Sequence, residues 1–261
     1  MTRFAPRVRY FAPCVQRGII ISFETESPPF PITRLHFHRL LVFLILSCAA
    51  LPATAQDTFR KVLFLGNSIT KHGPKADIGW SGNWGMAASA EDKDYVHLVI
   101  RGLTAKAGAA PETMVKNIAD FERAHAGYDI AGKLREAIDF QADLIIVAIG
   151  ENVPALKTPE EQAAFQASAT KLLTALKAGR QPVVLVRSCF WKNAAKDPAL
   201  QQACAAAGGR FVDISALAGD EGNYARSERP FKNAGVANHP GDKGMAAIAA
   251  VLLEVLRTKQ Q

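Results

Sequence analysis

The sequence lacks the features that mark membrane spanning, nucleotide binding and metal binding. Its longest apolar run, LLVFLILSCAAL at residues 40–51, has 12 residues, whereas a membrane-spanning helix needs roughly 20. The chain has no internal repeat, no metal-ligand spacing and no phosphate-binding loop. Gly79, Gly82 and Gly85 do not form the G-x-G-x-x-G fingerprint of dinucleotide-binding folds. We therefore expect neither a cofactor nor a bound metal.

The apolar run at residues 40–51 instead fits the core of a signal peptide. Arg34 and Arg39 precede it, and the small-x-small sequence Ala53-Thr54-Ala55 follows it, which predicts cleavage after Ala55. Residues 1–55 are thus expected to be a leader, of which residues 1–33 form a disordered extension. The protein is expected to be exported, either to the periplasm or into the medium.

Export changes how the four cysteines are interpreted. Cys14 and Cys48 fall in the leader, and contact with a membrane is expected only if Cys48 is lipidated, because the residues before it resemble a lipoprotein box only faintly. Cys189 and Cys204 remain in the mature chain. In an oxidising compartment they form a disulfide, or else they are two buried small hydrophobic residues, and the sequence leaves both readings open.

Positive charge is concentrated in the leader. The formal net charge is +7, to which residues 1–55 contribute +4 through six Arg and two Glu. The remaining chain keeps +3, so the basic composition does not predict nucleic-acid binding. The whole chain has 49% hydrophobic and 21% charged residues, which is ordinary globular usage. Residues 56–261 are expected to fold as a single domain.

From Arg60 onward, short apolar runs alternate with longer amphipathic segments. Strands are predicted at 61–66, 112–117, 142–150, 181–188 and 210–215, and helices at 87–105, 130–138, 159–177, 198–207 and 240–257. Strands joined by helices of this length imply right-handed crossovers and a mostly parallel sheet covered on both faces. The predicted fold is α/β, a three-layer α/β/α sandwich around five strands in flavodoxin-like order. Functional groups in such folds collect at the carboxyl ends of the strands.

Polar residues follow the predicted strands at three such ends. Gly66-Asn67-Ser68 follows the first strand, where a glycine permits the sharp bend that a nucleophile turn needs. Gly150-Glu151-Asn152 follows the third, and Asn238-His239-Pro240 lies between the fifth strand and the last helix. Taken singly, they are also ordinary turn, loop and helix-capping sequences. Taken in this order, they bring a serine, an asparagine and a histidine to one edge of the sheet.

In these blocks the chain resembles the GDSL-type esterases and lipases, the SGNH hydrolase superfamily. Gly66-Asn67-Ser68 matches the Gly-Asp-Ser block with Asn in place of Asp, Gly150-Glu151-Asn152 matches the Gly-x-Asn-Asp block, and His239-Pro240 matches the final Asp-x-x-His-Pro block. The resemblance covers residues 59–256. It implies hydrolysis of acyl esters, with Ser68 as the nucleophile and His239 as the general base.

The resemblance also implies an oxyanion hole formed by the Ser68 N–H, the Asn152 side chain and a backbone N–H near Ala119. The chain departs from the family at two points. The segment KNIAD at residues 116–120 lacks the usual glycine, and Val236 stands where the acid is expected, three residues before the histidine. The group that orients the imidazole is therefore left open between a main-chain carbonyl in residues 235–238 and a distant acid, Asp213 or Asp242.

Three tryptophans near these blocks bear on the substrate. Trp80 and Trp84 lie in a Gly-rich segment after Ser68, and Trp191 follows the fourth strand. Exposed indole faces suit sugar rings, so an acetylated carbohydrate is one expected substrate, and the expected substrate-binding residues are Trp80, Trp84, Glu151 and Trp191. Alternatively, the tryptophans pack the long loop against the domain. The sequence has no long apolar segment that could form a lid, which argues against a triglyceride lipase.

Other functions remain open from the sequence. Val236 and the missing glycine favour an acyltransferase or a non-hydrolytic carbohydrate-binding protein of the same fold, while Ser68, Asn152 and His239 favour a hydrolase. A thioesterase or lysophospholipase of the same superfamily is a further alternative. In each case the expected partner is a small-molecule or carbohydrate ester and not nucleic acid.

Overall fold

The inner strands of the sheet consist almost wholly of apolar residues. The computed structural model describes residues 58–258, so the predicted leader lies outside the described residues. Strand β1 (Lys61–Gly66) is buried at every position after the first, and β3 (Leu144–Ala148) is buried throughout. Such continuous apolar runs are typical of parallel strands with both faces covered.

The remaining strands are β2 (Glu112–Asn117), β4 (Val183–Arg187) and β5 (Arg210–Val212). All neighbouring pairs are parallel, and the order across the sheet is β2-β1-β3-β4-β5. This confirms the predicted α/β class and the predicted strand order. The third, fourth and fifth strands are shorter than predicted.

Helices and turns connect the strands. The α-helices of the described residues are α1 (Tyr95–Ala107), α2 (Ala119–Arg123), α3 (Ile130–Lys133), α4 (Arg135–Asp139), α5 (Pro159–Lys177), α6 (Lys196–Ala206), α7 (Ala234–Ala237) and α8 (Asp242–Arg257). Short 3-10 helices lie at Ala76–Ile78, Glu91–Lys93, His125–Gly127, Ser215–Gly219, Glu221–Asn223 and Ala225–Ser227. Among residues 58–258, no helix is both long enough and apolar enough to cross a membrane.

Several helix boundaries differ from the prediction for identifiable reasons. Helix α1 begins at Tyr95 and not at residue 87, because Asp94 is its N-cap and accepts a hydrogen bond from the His97 N–H. The helix predicted at 130–138 is two short helices that meet at Leu134, whose backbone leaves the helical region. Helix α5 begins as predicted, with a capping box between Thr158 and Glu161.

Alternate residues of the strands point into two separate cores. Leu63, Ile145 and Val186 belong to the core that also contains the buried faces of α5 and α6. Phe64 and Ile146 belong to the core on the opposite face, which α1 and α8 cover. The result is a three-layer sandwich whose strands all end at the same edge.

The two cysteines of the described residues are both free and buried. Burial raises the pKa of both thiols, that of Cys204 to about 11. Of the two interpretations left open by the sequence, the structure supports the second, in which Cys189 and Cys204 are buried hydrophobic residues without a disulfide between them.

Candidate active site

The turn after β1 presents Ser68 at the edge of the sheet. The Thr70 and Lys71 N–H groups donate to the Asn67 carbonyl oxygen at 3.0 and 2.9 Å, which closes the turn immediately after the strand. A Cβ at Gly66 would lie 2.0 Å from Thr70 Oγ1 and 2.8 Å from the Ala148 carbonyl oxygen, so only glycine permits this approach. Ser68 itself stays half-buried and faces a pocket.

His239 reaches the same edge from the other side of the pocket. Its Nε2 lies 2.8 Å from Ser68 Oγ, and its Nδ1 lies 2.7 Å from the Gly235 carbonyl oxygen. A carbonyl oxygen only accepts, so Nδ1 carries the proton and Nε2 is left as the acceptor for the Ser68 hydroxyl. The contact with Gly235 thus selects the tautomer that a general base needs.

The structure also decides between the acids considered as partners of His239. Asp213 accepts from Ser188 Oγ at 3.2 Å and from the Ser215 N–H at 2.9 Å. Asp242 is the first residue of α8 and accepts from both the N–H and the hydroxyl of Ser89. Neither contacts the imidazole, so the main-chain carbonyl takes the place of the acid.

The surroundings of His239 favour its neutral form. Burial lowers the pKa of His239 below its ordinary value, and the contact with the Gly235 carbonyl and the charge of Glu151, which act in the opposite direction, do not outweigh it. The ring of Trp191 packs edge-on against the imidazole with the centroids 5.9 Å apart. Of the residues predicted to bind substrate, Trp191 is the one that contacts the predicted base.

The pocket between Ser68 and His239 has a volume of about 270 Å³. Ser68, Ala119, Asn152 and His239 all line it, so the structure brings these four predicted site residues together. The other residues of its wall are His72, Ile78, Met86, Asn117, Arg123, Asn233, Gly235 and Val236. No carboxylate is among these residues.

Two of the predicted oxyanion donors in residues that line this pocket keep an N–H with no partner among the described residues. Among residues 58–258, the Ser68 N–H donates to no other residue. Asn152 Nδ2 uses one hydrogen for Glu122 Oε2 at 2.8 Å, which leaves its second. Ala119 differs, because its N–H already donates to Asn117 Oδ1 at 2.9 Å. Ala119, near which a third donor was expected, therefore lines the pocket with its own N–H already engaged.

Beneath the pocket lies a buried polar network that the sequence did not indicate. Asn67 Nδ2 donates to Glu122 Oε1 at 3.2 Å and to Glu151 Oε2 at 2.6 Å, and its Oδ1 accepts from the Ile69 N–H at 3.1 Å. Arg187, which is fully buried, pairs with Glu151 Oε1 at 2.6 Å. Every polar atom of the Asn67 side chain therefore has a partner.

The pKa values of the two carboxylates in this network are shifted in opposite directions. Burial raises the pKa of Glu151, but the charge of Arg187 and the hydrogen bonds from Phe190, Arg187 and Asn67 outweigh it, so the pKa is held below its ordinary value. Burial and then the charge of Glu151 raise the pKa of Glu122. Glu151 is thus committed to Arg187 and Asn67, and it does not line the pocket, although the sequence predicted it to bind substrate.

Trp80 and Trp84 pack the loop that follows Ser68. Their rings meet edge-to-face with the centroids 5.7 Å apart, and Trp80 is only 7% exposed. The indole N–H of Trp80 donates to the His72 carbonyl oxygen at 2.9 Å, and that of Trp84 to the Ala88 carbonyl oxygen at 3.1 Å. Of the two interpretations that the sequence left open for Trp80 and Trp84, these contacts favour loop packing over substrate binding.

Sequence reasoning missed Glu122, His72 and Arg123. Glu122 lies in the segment ADFER, which looks like one turn of an ordinary surface helix, and its complete burial depends on contacts with distant residues. His72 and Arg123 line the pocket, yet neither belongs to a recognisable motif. Nothing in the local sequence of these three residues distinguishes them from surface residues.

Comparisons with known proteins add the following similarities. The sequence matches no protein-family profile, and no curated protein matches it. Among solved structures, the chain is similar to a GDSL-like lipase from Bacteroides uniformis, with 15% identity, 76% of this chain and 95% of that chain covered, and a TM-score of 0.49.

Two further solved structures are similar. For a family two carbohydrate esterase from Cellvibrio japonicus, the identity is 19%, the coverage is 76% of this chain and 60% of that chain, and the TM-score is 0.43. For a lipase from a goat rumen metagenome, the identity is 11%, the coverage is 74% and 96%, and the TM-score is 0.42.

Proposed function

We propose that the chain is a carboxylic ester hydrolase that works through an acyl-enzyme on Ser68. The observation that supports this most directly is the contact of 2.8 Å between Ser68 Oγ and His239 Nε2, together with the contact of His239 Nδ1 to a main-chain carbonyl. A hydroxyl hydrogen-bonded to an unprotonated imidazole nitrogen is the arrangement of an activated nucleophile.

The proposed reaction has two halves. Ser68 Oγ attacks the ester carbonyl carbon while its proton passes to His239 Nε2, and the alcohol then leaves with that proton as its C–O bond breaks. Water next attacks the acyl group, gives a proton to His239, and releases the acid as the Ser68 hydroxyl is restored. The Ser68 N–H and the second N–H of Asn152 would bind the negative oxygen in both halves.

The pocket favours a small acyl group. Its volume of about 270 Å³ lies below the range of roughly 300–1,000 Å³ that is usual for drug-sized ligands. Trp80 and Trp84 pack the loop and therefore no longer support the predicted preference for sugar esters. Of the three tryptophans, only Trp191, which contacts His239, still supports it. We therefore propose short-chain esters as the substrate class, with acetylated carbohydrate as one member to test.

A fluorophosphonate probe, which reacts with activated serines, tests this proposal. We expect the purified protein to be labelled, and Ser68→Ala to lose both labelling and at least about 10³-fold of the turnover of a short-chain nitrophenyl ester. Ser168→Ala is the matched control, since that serine does not line the pocket and its hydroxyl donates to the Ala164 carbonyl oxygen. Folded wild-type protein that is neither labelled nor active on nitrophenyl esters, acetylated xylan or acyl-thioesters would contradict the proposal.

A further inference from the structure

A buried carboxylate lies directly behind the pocket wall. The side chain of Glu122 is completely buried and accepts from four N–H groups. Its Oε1 accepts from the Gly150 N–H at 2.6 Å, from Asn67 Nδ2 at 3.2 Å and from the Asn152 N–H at 3.3 Å, and its Oε2 accepts from Asn152 Nδ2 at 2.8 Å. All four partners are donors, which is the pattern that suits an ionised carboxylate. The hydrogen bonds from Asn152 and Gly150 thus oppose the rise in the Glu122 pKa that burial and the charge of Glu151 cause.

These contacts fix which end of the Asn152 amide faces Glu122. An amide can rotate by 180° and exchange its oxygen and nitrogen, but a carboxylate that only accepts would then face the Asn152 oxygen. The observed orientation puts Nδ2 next to Glu122 and leaves its second hydrogen unused among the described residues. Asn152 also lines the pocket that contains Ser68, so the orientation of its amide decides whether a donor or an acceptor is available there.

Glu122 also holds the backbone on which Asn152 is placed. Gly150 has φ of 126°, in the left-handed region, and a Cβ there would lie 2.5 Å from Cys189 Sγ. The hydrogen bonds from the Gly150 and Asn152 N–H groups to Glu122 keep this unusual segment in place. One side chain therefore sets both the position and the orientation of the Asn152 amide.

From this geometry we propose that Glu122 is a positioning residue of the oxyanion hole, acting through Asn152. The proposal rests on the function proposed above, and it adds a carboxylate that contacts neither the substrate nor the nucleophile. It accounts for a completely buried acid in a chain whose predicted base has no acid partner among the described residues. It also explains why Asn67 suits this chain, since its amide donates to Glu122 and to Glu151 at once.

The isosteric variant Glu122→Gln gives a sharp test. Its single carboxamide oxygen would keep the three hydrogen bonds that Glu122 Oε1 now accepts. Its NH₂ group would then face Asn152 Nδ2. The Asn152 amide would then turn its oxygen inward to accept, and the pocket would lose a donor. We expect kcat to fall by about 10²–10³-fold, as for loss of one oxyanion donor, while KM changes by less than about threefold.

A double-mutant cycle separates positioning from general damage. We expect Asn152→Ala alone to lower kcat by about 10²–10³-fold, and Glu122→Gln to cause little further loss in that background, because the residue through which it acts is already gone. The matched control is Asp143→Asn, which removes a carboxylate that accepts from the Arg60 and Lys61 N–H groups at the opposite end of the sheet. It should lower the denaturation midpoint and leave kcat unchanged.

If Glu122→Gln does not fold, Glu122→Asp provides the same test, because it keeps the charge and shortens the reach by one methylene. A partial loss of kcat that disappears in the Asn152→Ala background supports the proposal. A folded variant with wild-type kcat, or a loss that multiplies fully with that of Asn152→Ala, overturns it.

The side-chain amide signals of Asn152 in an NMR spectrum should shift in Glu122→Gln, and unchanged signals would overturn the proposal independently of activity. Failure of the proposed function would instead appear as an inactive, unlabelled wild type with these signals still shifting.

Discussion

The two sides of the pocket hold their key residues by different means. The nucleophile side, named for the proposed nucleophile Ser68, comprises residues 66–70, Glu122, residues 150–152 and Arg187. There two buried carboxylates accept from Asn67, and the Arg187 guanidinium pairs with one of them. On the base side, which comprises residues 233–239 and Trp191, His239 is held by a carbonyl oxygen and an aromatic edge. Carboxylates are thus concentrated under the predicted oxyanion donors, and none contacts the imidazole among residues 58–258.

This difference shows how a serine and a histidine can be held in contact without an acid beside the imidazole. A carbonyl oxygen fixes the imidazole tautomer as an acid would, but it supplies a dipole and not a full negative charge. The charged side chains of the site, Glu122, Glu151 and Arg187, lie instead on the Ser68 side. There the two carboxylates accept hydrogen bonds from Asn67, and Glu122 also accepts one from the Asn152 amide. Variants that exchange amides and acids on the two sides should therefore have unequal effects.

The largest expected effect comes from placing an acid at Asn67, where the Gly-Asp-Ser motif that the chain resembles has Asp. Asn67→Asp would replace an amide that donates to Glu122 and Glu151 by a third carboxylate, with Arg187 as the cation paired to this network. An uncompensated buried charge costs about 3–5 kcal/mol. We expect the free energy of unfolding in urea to fall by that amount, with activity falling in parallel.

The same chemical change on the base side provides the control for Asn67→Asp. Asn233 caps α7 by accepting from the Val236 N–H at 3.1 Å, and an aspartate accepts there equally well. Asn233→Asp should leave the free energy of unfolding within about 1 kcal/mol of the wild type. Equal losses in the two variants would show that the nucleophile side is not especially sensitive to charge.

The next effect concerns the pH dependence of the base side. Because the pKa of His239 is lowered by burial and the base must be neutral, kcat/KM for a short-chain ester should stay high below the ordinary histidine pKa of about 6.5. Trp191→Ala exposes the imidazole to water and should raise the His239 pKa. The acid limb of the kcat/KM profile against pH should therefore move to higher pH in this variant. Trp84→Ala removes an indole that packs the loop and should leave the limb in place. A wild-type limb above 6.5 would contradict this explanation.

The smallest expected effect on activity comes from Val236, at the position where the resembled motif has an acid. Its side chain is 2% exposed and packs with Trp80, Met86, Ala87 and Ala225. Val236→Ala should cost about 1–2 kcal/mol of unfolding free energy through lost burial and change kcat/KM by less than about threefold. Val236→Asp should be less stable than Val236→Ala and no more active, because it places a carboxylate in an apolar cluster. A gain in kcat for Val236→Asp would indicate that the carbonyl is an inadequate partner.

The sequence predicted those features that depend on local patterns. Strand β2 has the predicted bounds, the start of α5 was indicated by Thr158 and Pro159, and continuous apolar runs located β1 and β3. The meeting of Ser68 and His239 followed from their order at the strand ends. These predictions succeeded because strand burial, helix capping and parallel topology are each encoded in short segments.

The features that could not be predicted depend on contacts between distant segments. Glu122 is buried because residues 67, 150 and 152 converge on it, and its own segment, ADFER, carries no sign of this. The sequence left Trp80 and Trp84 open between substrate binding and loop packing, and the packing of their rings against each other favours the second. A third oxyanion donor was expected near Ala119, but the Ala119 N–H itself donates to the side chain of Asn117, two residues earlier.

The contact between His239 and the Gly235 carbonyl has a consequence for how the site tolerates mutation. Every amino acid carries a main-chain carbonyl, so no exchange of side chain at position 235 removes the acceptor itself. What preserves it is the path of the backbone from Asn233 to His239, which the Asn233 cap and the packing of Val236 maintain. The base of this site is therefore protected against substitution of its partner and vulnerable to insertions or deletions between residues 233 and 239.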